Sequence, residues 1–555
     1  MVSSRLRSLN DPDVVCHSCL HYVSLASVLT FVVAIWCIYV GWPWYRNWTR
    51  AKELHVPLIL SPISTSGVAL GLLRYILDLD ILPTYITRFP FIRLIRRNSR
   101  FQEKFAVHAE YGKLFVLVTP TACELYVADV DAAKQVLARW RDFPKPRSLL
   151  EKMNVFGKNL ATVEGADWQR HRKLTARAFH EKLHEVVWVE SVRNASKVLK
   201  QWTNTKSVYS TRSDMMTLSL GVLFKACLNI DGVDKDDTRM LAGDVAACQW
   251  HLHVVLTGIS NPMALGHGVR GIKKLKASYK ALGELLTEFV DARTARSRQA
   301  THTDLLSSIL APTDHRGLSS DEVTGNLFLF MFAGHETTAN ALIYIIHLMA
   351  IFPAWQDWAL EEIDRLLYDR ANEEVPSYRQ ILPQIQRLRA ILYETLRLYG
   401  PVPTIVRQTD SKAQALVLSE QEIIIPKDTP VNVNTIALHT DPKQWGPDPL
   451  TWRPDRWISQ ESDSSLQIVS NELLRYLFAW GDGPRLCPGQ KFSQTEVFAV
   501  LLCLFKSHRV ELVPSPDQTM DQARSHALSL IQNSMVGLTL QMPYAESVGL
   551  RWVGR

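Results

Sequence analysis

Apolar residues in this 555-residue chain recur mostly at helical spacing, with one stretch of strand character and one uninterrupted apolar run near the start. Leu114 to Val118 and Glu124 to Val127 flank Thr119-Pro-Thr121, which predicts a short β-hairpin. Beyond it, helical periodicity dominates. The clearest helix begins at Ser319, whose spacing to Glu322 forms a capping box, and runs through an apolar body to just before Pro353. About 32 residues at roughly 1.5 Å each reach roughly 48 Å, enough to cross a whole domain. A membrane span is the rival reading of this segment. His335 and Glu336 at its middle weigh against it, because ionisable groups at a bilayer centre are costly. A further helix is predicted from Gln490 to Lys506, with Phe492, Ala499 and Cys503 inward.

The uninterrupted run is Leu20 to Val40, inside a stretch without Asp, Glu, Lys or Arg from Val14 to Tyr45. About 21 helical residues reach roughly 32 Å, the thickness of a bilayer core. Trp42, Trp44 and Tyr45 follow, then Arg46, Arg50 and Lys52, the order of an interfacial end. The run is long, begins late and lacks a clear small-residue cleavage site, so a retained anchor is predicted over a cleaved signal peptide. Only Arg5 and Arg7 precede it, and the basic excess after it puts the body in the cytosol. Asn47-Trp-Thr49 and Asn194-Ala-Ser196 match the glycosylation sequon, yet both follow the span and should stay unmodified on this topology. Further on, Arg88, Arg93, Arg96 and Arg97 interleave with Phe89, Phe91, Ile92, Leu94 and Ile95, which suits either lipid headgroups or a solvated basic face.

No linker, repeat or low-complexity tract divides the remainder. The predicted organisation is a lumenal tail and anchor over residues 1–45, with the span at about 20–40, and one body over 46–555. A hydrophobic share of 47% is enough for a sizeable core. The net charge of +7, from 62 basic and 55 acidic residues, fits a membrane surface or an acidic redox partner. The basic residues are scattered without an aromatic-interleaved motif, so nucleic-acid binding is not expected. Eight cysteines make neither a disulfide framework nor a zinc pattern, and Cys16-His-Ser-Cys19 lacks a second ligand pair. Gly266-His-Gly-Val-Arg-Gly271 has dinucleotide-loop spacing but follows Ile259-Ser-Asn-Pro262, where a strand is required. His335-Glu336-Thr-Thr-Ala339 starts like a zinc-protease helix but has Ala339 where the second His belongs; His335 reads as a hydrogen-bonded interior histidine.

Chemistry concentrates in Phe478-Ala-Trp-Gly-Asp-Gly-Pro-Arg-Leu-Cys487-Pro-Gly489, a Gly-rich loop that delivers one cysteine to a helix start. Helix-start amides and a nearby Arg485 are the groups expected to stabilise a thiolate there. The loop resembles the haem-binding loop of the cytochrome P450 family, with Trp480 where the family's usual Phe shields the sulfur. Ala333-Gly334-His335-Glu336-Thr337-Thr338 resembles the family's oxygen-activating segment. Small residues at 333 and 334 leave room and let the helix widen locally. Thr337 would hold oxygen or a water, and Glu336 would relay protons from solvent; a bond from Thr337 back to a helix carbonyl is the structural alternative. Glu394-Thr-Leu-Arg397 and Pro454-Asp-Arg456-Trp457 resemble the family's buried scaffold of Glu394, Arg397 and Arg456, suited to bidentate pairing. Trp168-Gln-Arg-His-Arg172 resembles its haem-propionate helix, and Arg407 its propionate-binding arginine, so that Trp168, Arg172, Arg407 and Arg485 are the expected cofactor contacts.

The resemblance, over about residues 100 to 545, implies a mainly α fold with a small β region and haem b held through Cys487 as axial thiolate ligand of the iron. It implies a monooxygenase that uses dioxygen and electrons from a separate NADPH-dependent reductase, with the body lying on the endoplasmic reticulum membrane. A haem-thiolate isomerase or dehydratase, and a non-catalytic membrane haem- or sterol-binding protein, are the alternatives; neither uses Glu336 and Thr337. Expected pocket walls are the segment between the hairpin and Trp168, Trp250 to Leu265, Phe328 to Ala333, Val402 to Ile405, and Ser529 to Val536. Their apolar character implies a hydrophobic small-molecule substrate. The chain is also similar to filamentous-fungal members of secondary metabolism.

Overall fold

The computed structural model describes residues 37–65, 68–79, 82–229, 268–296, 304–310, 317–368, 377–418, 421–460 and 467–555, with Ser27, Thr30, Phe31 and Ala34. Most of the anchor expected over Leu20 to Val40 lies outside the described residues, as do Cys16, Cys19, Cys248 and Trp250 to Leu265. Among the described residues no single helix is long and apolar enough to cross a membrane. Of the dinucleotide-like glycine run, positions 268–271 open the helix Gly268–Arg296.

Trp42–Lys52 (α1) docks on the body. Its Trp44 indole donates to the Ser61 carbonyl at 2.9 Å, and its Asn47 amide donates to Thr119 O at 3.0 Å. That buried amide has no room for a glycan in this fold. Asn194, half-buried, donates its amide to Glu190 Oε1 at 3.0 Å. In the Arg-rich stretch, Ile92 and Ile95 are buried against Leu70 and Leu77, and Arg93 pairs with Glu103 and Glu110. Those apolar stems therefore face protein rather than lipid; Tyr85 and Phe89 remain exposed.

The predicted hairpin is present. Leu114–Val118 (β2) runs antiparallel to Cys123–Val127 (β3), one residue earlier than the pattern indicated, because Cys123 pairs with Val118. Together with Leu58–Leu60 (β1), Thr404–Gln408 (β4) and Pro430–Asn434 (β5) they form a sheet of order β1-β2-β3-β5-β4. Every residue of the hairpin strands is buried, since Val116, Val118, Leu125 and Val127 pack on one face and Phe115, Leu117 and Tyr126 on the other.

Among the described residues, helices and four two-stranded sheets supply the rest. Gly165–Ala176 (α2), Glu181–Thr203 (α3) and Thr211–Leu228 (α4) precede Ser320–Ile351 (α5), Arg387–Tyr399 (α6) and Gln490–Phe505 (α7). The capping box of α5 forms: Glu322 N–H donates to Ser319 Oγ at 3.2 Å, and Ser319 N–H donates to Glu322 Oε2 at 3.0 Å. From Ala339 to Ile351 every residue of α5 is buried, as expected of a helix apolar on all sides within a protein core. Gly334 lets α4 approach, because a Cβ there would lie 3.0 Å from Leu223.

Two further packing features matter below. Gly157 has a φ of +128°, and its backbone lies so close to α5 that a Cβ at Gly325 would sit 2.6 Å from the Gly157 carbonyl oxygen. Asn326 of α5 accepts from Leu160 N–H at 2.9 Å, which holds the same loop down. On α7, Glu496 is fully buried, and neither carboxyl oxygen has a hydrogen-bond partner among the described residues. Burial pushes its pKa up to about 8, opposed by the nearby Ser219 hydroxyl of α4.

Candidate active site

The cysteine loop is fixed at both ends before it reaches its cavity. His439 accepts from Phe478 N–H at 2.9 Å through Nε2, while its Nδ1 meets the Arg397 carbonyl at 3.1 Å, tying the loop to α6. Asp482 caps the next turn by accepting from Gly483 N–H at 2.7 Å. Gly483 has a φ of +69°, and a Cβ there would lie 2.8 Å from the Leu137 carbonyl, so the position admits only glycine. Cys487 N–H then donates to Trp480 O at 3.0 Å, and the chain enters α7 after Gly489.

Cys487 opens onto a cavity of about 470 Å³ whose far wall is α5, contributing Ala333, Gly334, Thr337, Thr338 and Ala341. Burial raises the Cys487 pKa, opposed by the Gly489 amide and the Arg172 charge. The cation acting on the sulfur is therefore Arg172, not Arg485 as expected. Arg485 instead pairs with Glu164, its guanidinium 4.5 Å from the Trp168 ring and 5.2 Å from Trp140. The other cysteine on the cavity wall, Cys227, sits fully buried within α4, and burial pushes its pKa up to about 12.

Trp168, Arg172, Arg407 and Arg485 all line this cavity, as expected, joined by Lys145. Arg485 Nε and Nη1 and Arg407 Nε are buried without hydrogen-bond partners among the described residues. Burial and the neighbouring Arg485 push Arg407 down to about 10, and burial, Arg485 and Arg407 push Lys145 down to about 7. Glu164 is the carboxylate that acts on this crowd of cations. Unsatisfied buried donors and uncompensated positive charge call for anionic acceptors. A flat cofactor bearing two carboxylates, with its metal toward Cys487, fits these residues. Lys145 and Glu164 escaped the sequence reading: Lys145-Pro-Arg147 shows only two basic residues near a proline, and Glu164 lies 321 positions from Arg485.

The oxygen-side residues divide. Thr337 lines the cavity, and its hydroxyl donates to Ala333 O at 2.8 Å; Thr338 does the same to Gly334 O at 3.0 Å. With both hydroxyls bonded four residues back, α5 runs as unbroken α-helix, and the expected local widening is not seen. Glu336 is buried off the cavity wall, accepting from Thr539 Oγ1 at 2.9 Å, and burial raises its pKa. His335 is buried, with its Nδ1 2.9 Å from Met331 O, an interior histidine as read.

Behind the loop, Glu394 accepts from Arg397 Nε and Nη2, each at 2.8 Å, from Arg456 Nε at 2.9 Å and from Trp457 Nε1 at 2.9 Å. Arg397 also donates to the His439 and Pro449 carbonyls at 2.7 and 2.6 Å, so the fully buried pair is saturated with partners. Of the expected pocket walls, Leu160, Ala161, Leu329, Phe330, Ala333, Val402 and Ile405 line the cavity. Ser529 to Val536 does not; there Ser534 Oγ instead accepts from the Tyr344 hydroxyl at 2.7 Å.

A helical body, a loop cysteine and a cationic rim facing one helix across a single cavity define a haem-thiolate site. The cytochrome P450 family model matches residues 83–536. A cytochrome P450 monooxygenase of Arthrobotrys oligospora is 27% identical over 502 residues, covering 81% of this chain and 86% of that one. A phomenoic acid biosynthesis cluster cytochrome P450 monooxygenase of Leptosphaeria maculans is 26% identical over 576 residues, covering 93% and 97%. The crystal structure of the cytochrome P450DA heme domain superposes with a TM-score of 0.66 at 21% identity, over 83% of this chain and 94% of that one, a likeness of fold. The chain belongs to the cytochrome P450 family, as an enzyme whose cofactor is haem with a cysteine-thiolate ligand.

Proposed function

We propose that this chain is a membrane-anchored monooxygenase of secondary metabolism that oxidises a hydrophobic small molecule, with Cys487 as the haem ligand. The observation that carries the reading is one cavity lined by Cys487, by Thr337 and by the apolar Leu160, Leu329, Phe330, Val402 and Ile405, with the cationic rim beside them. Haem bound there supplies the iron at which dioxygen is reduced and an oxygen atom is delivered to carbon.

The chain's own residues do the rest. Arg172, Arg407, Arg485 and Lys145 would hold the two cofactor carboxylates, and the Trp168 ring, 4.5 Å from the Arg485 guanidinium, steadies that cation in place for them. Thr337 presents a hydroxyl on the cavity side, and Glu336, about 100° further around α5, sits beside Thr539 with its pKa raised by burial. Glu394, Arg397 and Arg456 keep the loop rigid from behind.

Electrons come from a separate NADPH-dependent reductase on the same membrane. Residues 20–40 anchor the chain in the endoplasmic reticulum with its body in the cytosol; supporting this are the charge-free run and the exposed Trp42, Tyr45, Tyr85 and Phe89 on the side that follows it. The relatives' names support the pathway class, and one of them names a biosynthetic cluster.

The test is expression of the full chain with a reductase in yeast microsomes. Expected are a thiolate-type absorption band on reduction under carbon monoxide, and oxygenated product that depends on both NADPH and dioxygen. Product formed without NADPH would instead identify a rearranging enzyme. A normal carbon monoxide band with no turnover of lipophilic extracts from a producing fungus would favour a binder.

A further inference from the structure

Trp480 stands on the cavity wall beside Cys487, and its indole N–H must go somewhere. Indole is a donor with no acceptor capacity, and a thiolate is a ready acceptor. The structure sends the N–H elsewhere: Trp480 Nε1 donates to Ser493 Oγ at 3.1 Å, and the Ser493 hydroxyl donates onward to Gln490 O at 3.0 Å. Ser493 is one helical turn beyond Gly489, whose carbonyl accepts its N–H at 2.9 Å and whose own amide supports the sulfur. The indole donor is thus parked on Ser493, six residues beyond Cys487 along the chain. Tyr393 meets the ring edge-on with centroids 6.0 Å apart, and the Trp480 carbonyl takes the Cys487 N–H, so the residue is held by backbone, ring and hydroxyl together.

A hydrogen bond donated to a metal-bound thiolate withdraws electron density from sulfur and makes the metal easier to reduce. We propose that Ser493 is a positioning residue that captures the Trp480 N–H and keeps it off the Cys487 sulfur. The sulfur is then left with the Gly489 amide and the Arg172 charge and remains a strong donor to iron, although an aromatic N–H lines the same cavity. This rests on Cys487 being the haem ligand, as proposed above.

The test uses the full-length, haem-loaded protein and reads the haem reduction equilibrium and the ferrous carbon monoxide spectrum, not turnover. Ser493→Ala frees the N–H. The reduced-to-oxidised ratio at a fixed applied potential should rise by about threefold or more, as a charge-assisted hydrogen bond forms on the sulfur. Ser493→Thr keeps the acceptor and should match the parent. In a Trp480→Phe background, Ser493→Ala should shift nothing further, because no N–H remains. The same shift in both backgrounds, or no shift in Ser493→Ala alone, overturns the proposal. A parent protein lacking the thiolate-type band would instead sink the assignment of Cys487, a separable failure.

Discussion

Glu496 offers the sharpest test of the packing described above, because replacing it should strengthen the fold. Its carboxyl is fully buried on α7 with neither oxygen partnered, and its pKa is pushed up to about 8 by burial. In the unfolded chain the same group returns to its ordinary value of 4.5. Below that value both states hold the proton, and the group contributes nothing. Between the two values the folded state keeps a proton that the unfolded state releases, so stability falls as pH rises through that window. At pH 7 the gap corresponds to a penalty of about 3 kcal/mol, taking about 1.4 kcal/mol per tenfold change in proton affinity. Glu496→Gln is close in shape, stays neutral in both states and removes the penalty. Urea unfolding of the haem-loaded chain, followed by loss of the thiolate absorption band, should show nearly equal midpoints at pH 4.5. At pH 8 the variant should be clearly more resistant. A variant no more stable than the parent at pH 8, or a gain of equal size at both pH values, would refute the reasoning, since only a neutral buried carboxyl gives a gain that grows with pH.

Three other outcomes are expected. Glu394→Ala leaves the buried Arg397 guanidinium without its carboxylate, at a cost of about 3–5 kcal/mol, and should show as haem-free or degraded protein on expression. Thr337→Val removes a hydroxyl whose one hydrogen bond is to Ala333, so stability should drop by no more than about 1 kcal/mol. Its loss should lower product per NADPH and raise hydrogen peroxide, and unchanged coupling would remove Thr337 from the proposed proton route. Gly483→Ala places a methyl against the Leu137 carbonyl in a left-handed backbone, and should cost about 1–3 kcal/mol and weaken haem retention, measured by haem transfer to apomyoglobin.

What was readable before the structure was local. The hairpin and the Ser319 capping box are each set by residues close in sequence, where short-range sterics and hydrogen bonding suffice, and the Cys487 loop was legible through its resemblance to a family motif, although His439 and Leu137 hold it from far along the chain. The Glu394 and Arg397 pair was legible for the same reason, standing one helical turn apart. Long-range partnerships were not. Arg485 beside Cys487 in sequence suggested a cation for the sulfur, but Trp140, Trp168 and Glu164 claim its side chain, and Arg172 takes that place. Glu336 and Thr337 are adjacent in sequence, but consecutive helical positions point about 100° apart, so one reaches the cavity while the other turns to Thr539. Small residues at 333 and 334 suggested a widened helix; the spacing does not reveal that Gly334 serves the approach of Leu223.

The contact between Gly157 and Gly325 bears on how this enzyme can be diversified. Leu160 and Ala161 line the void, so a library that varies them changes the shape offered to a ligand without touching the seam three residues earlier. Positions 157 and 325 are different: main chain rests on main chain there, and any added carbon pries the roof off its supporting helix. Randomising all four together would bury productive variants among misfolded ones, and sparing the two glycines would keep the scaffold while its chemistry is explored.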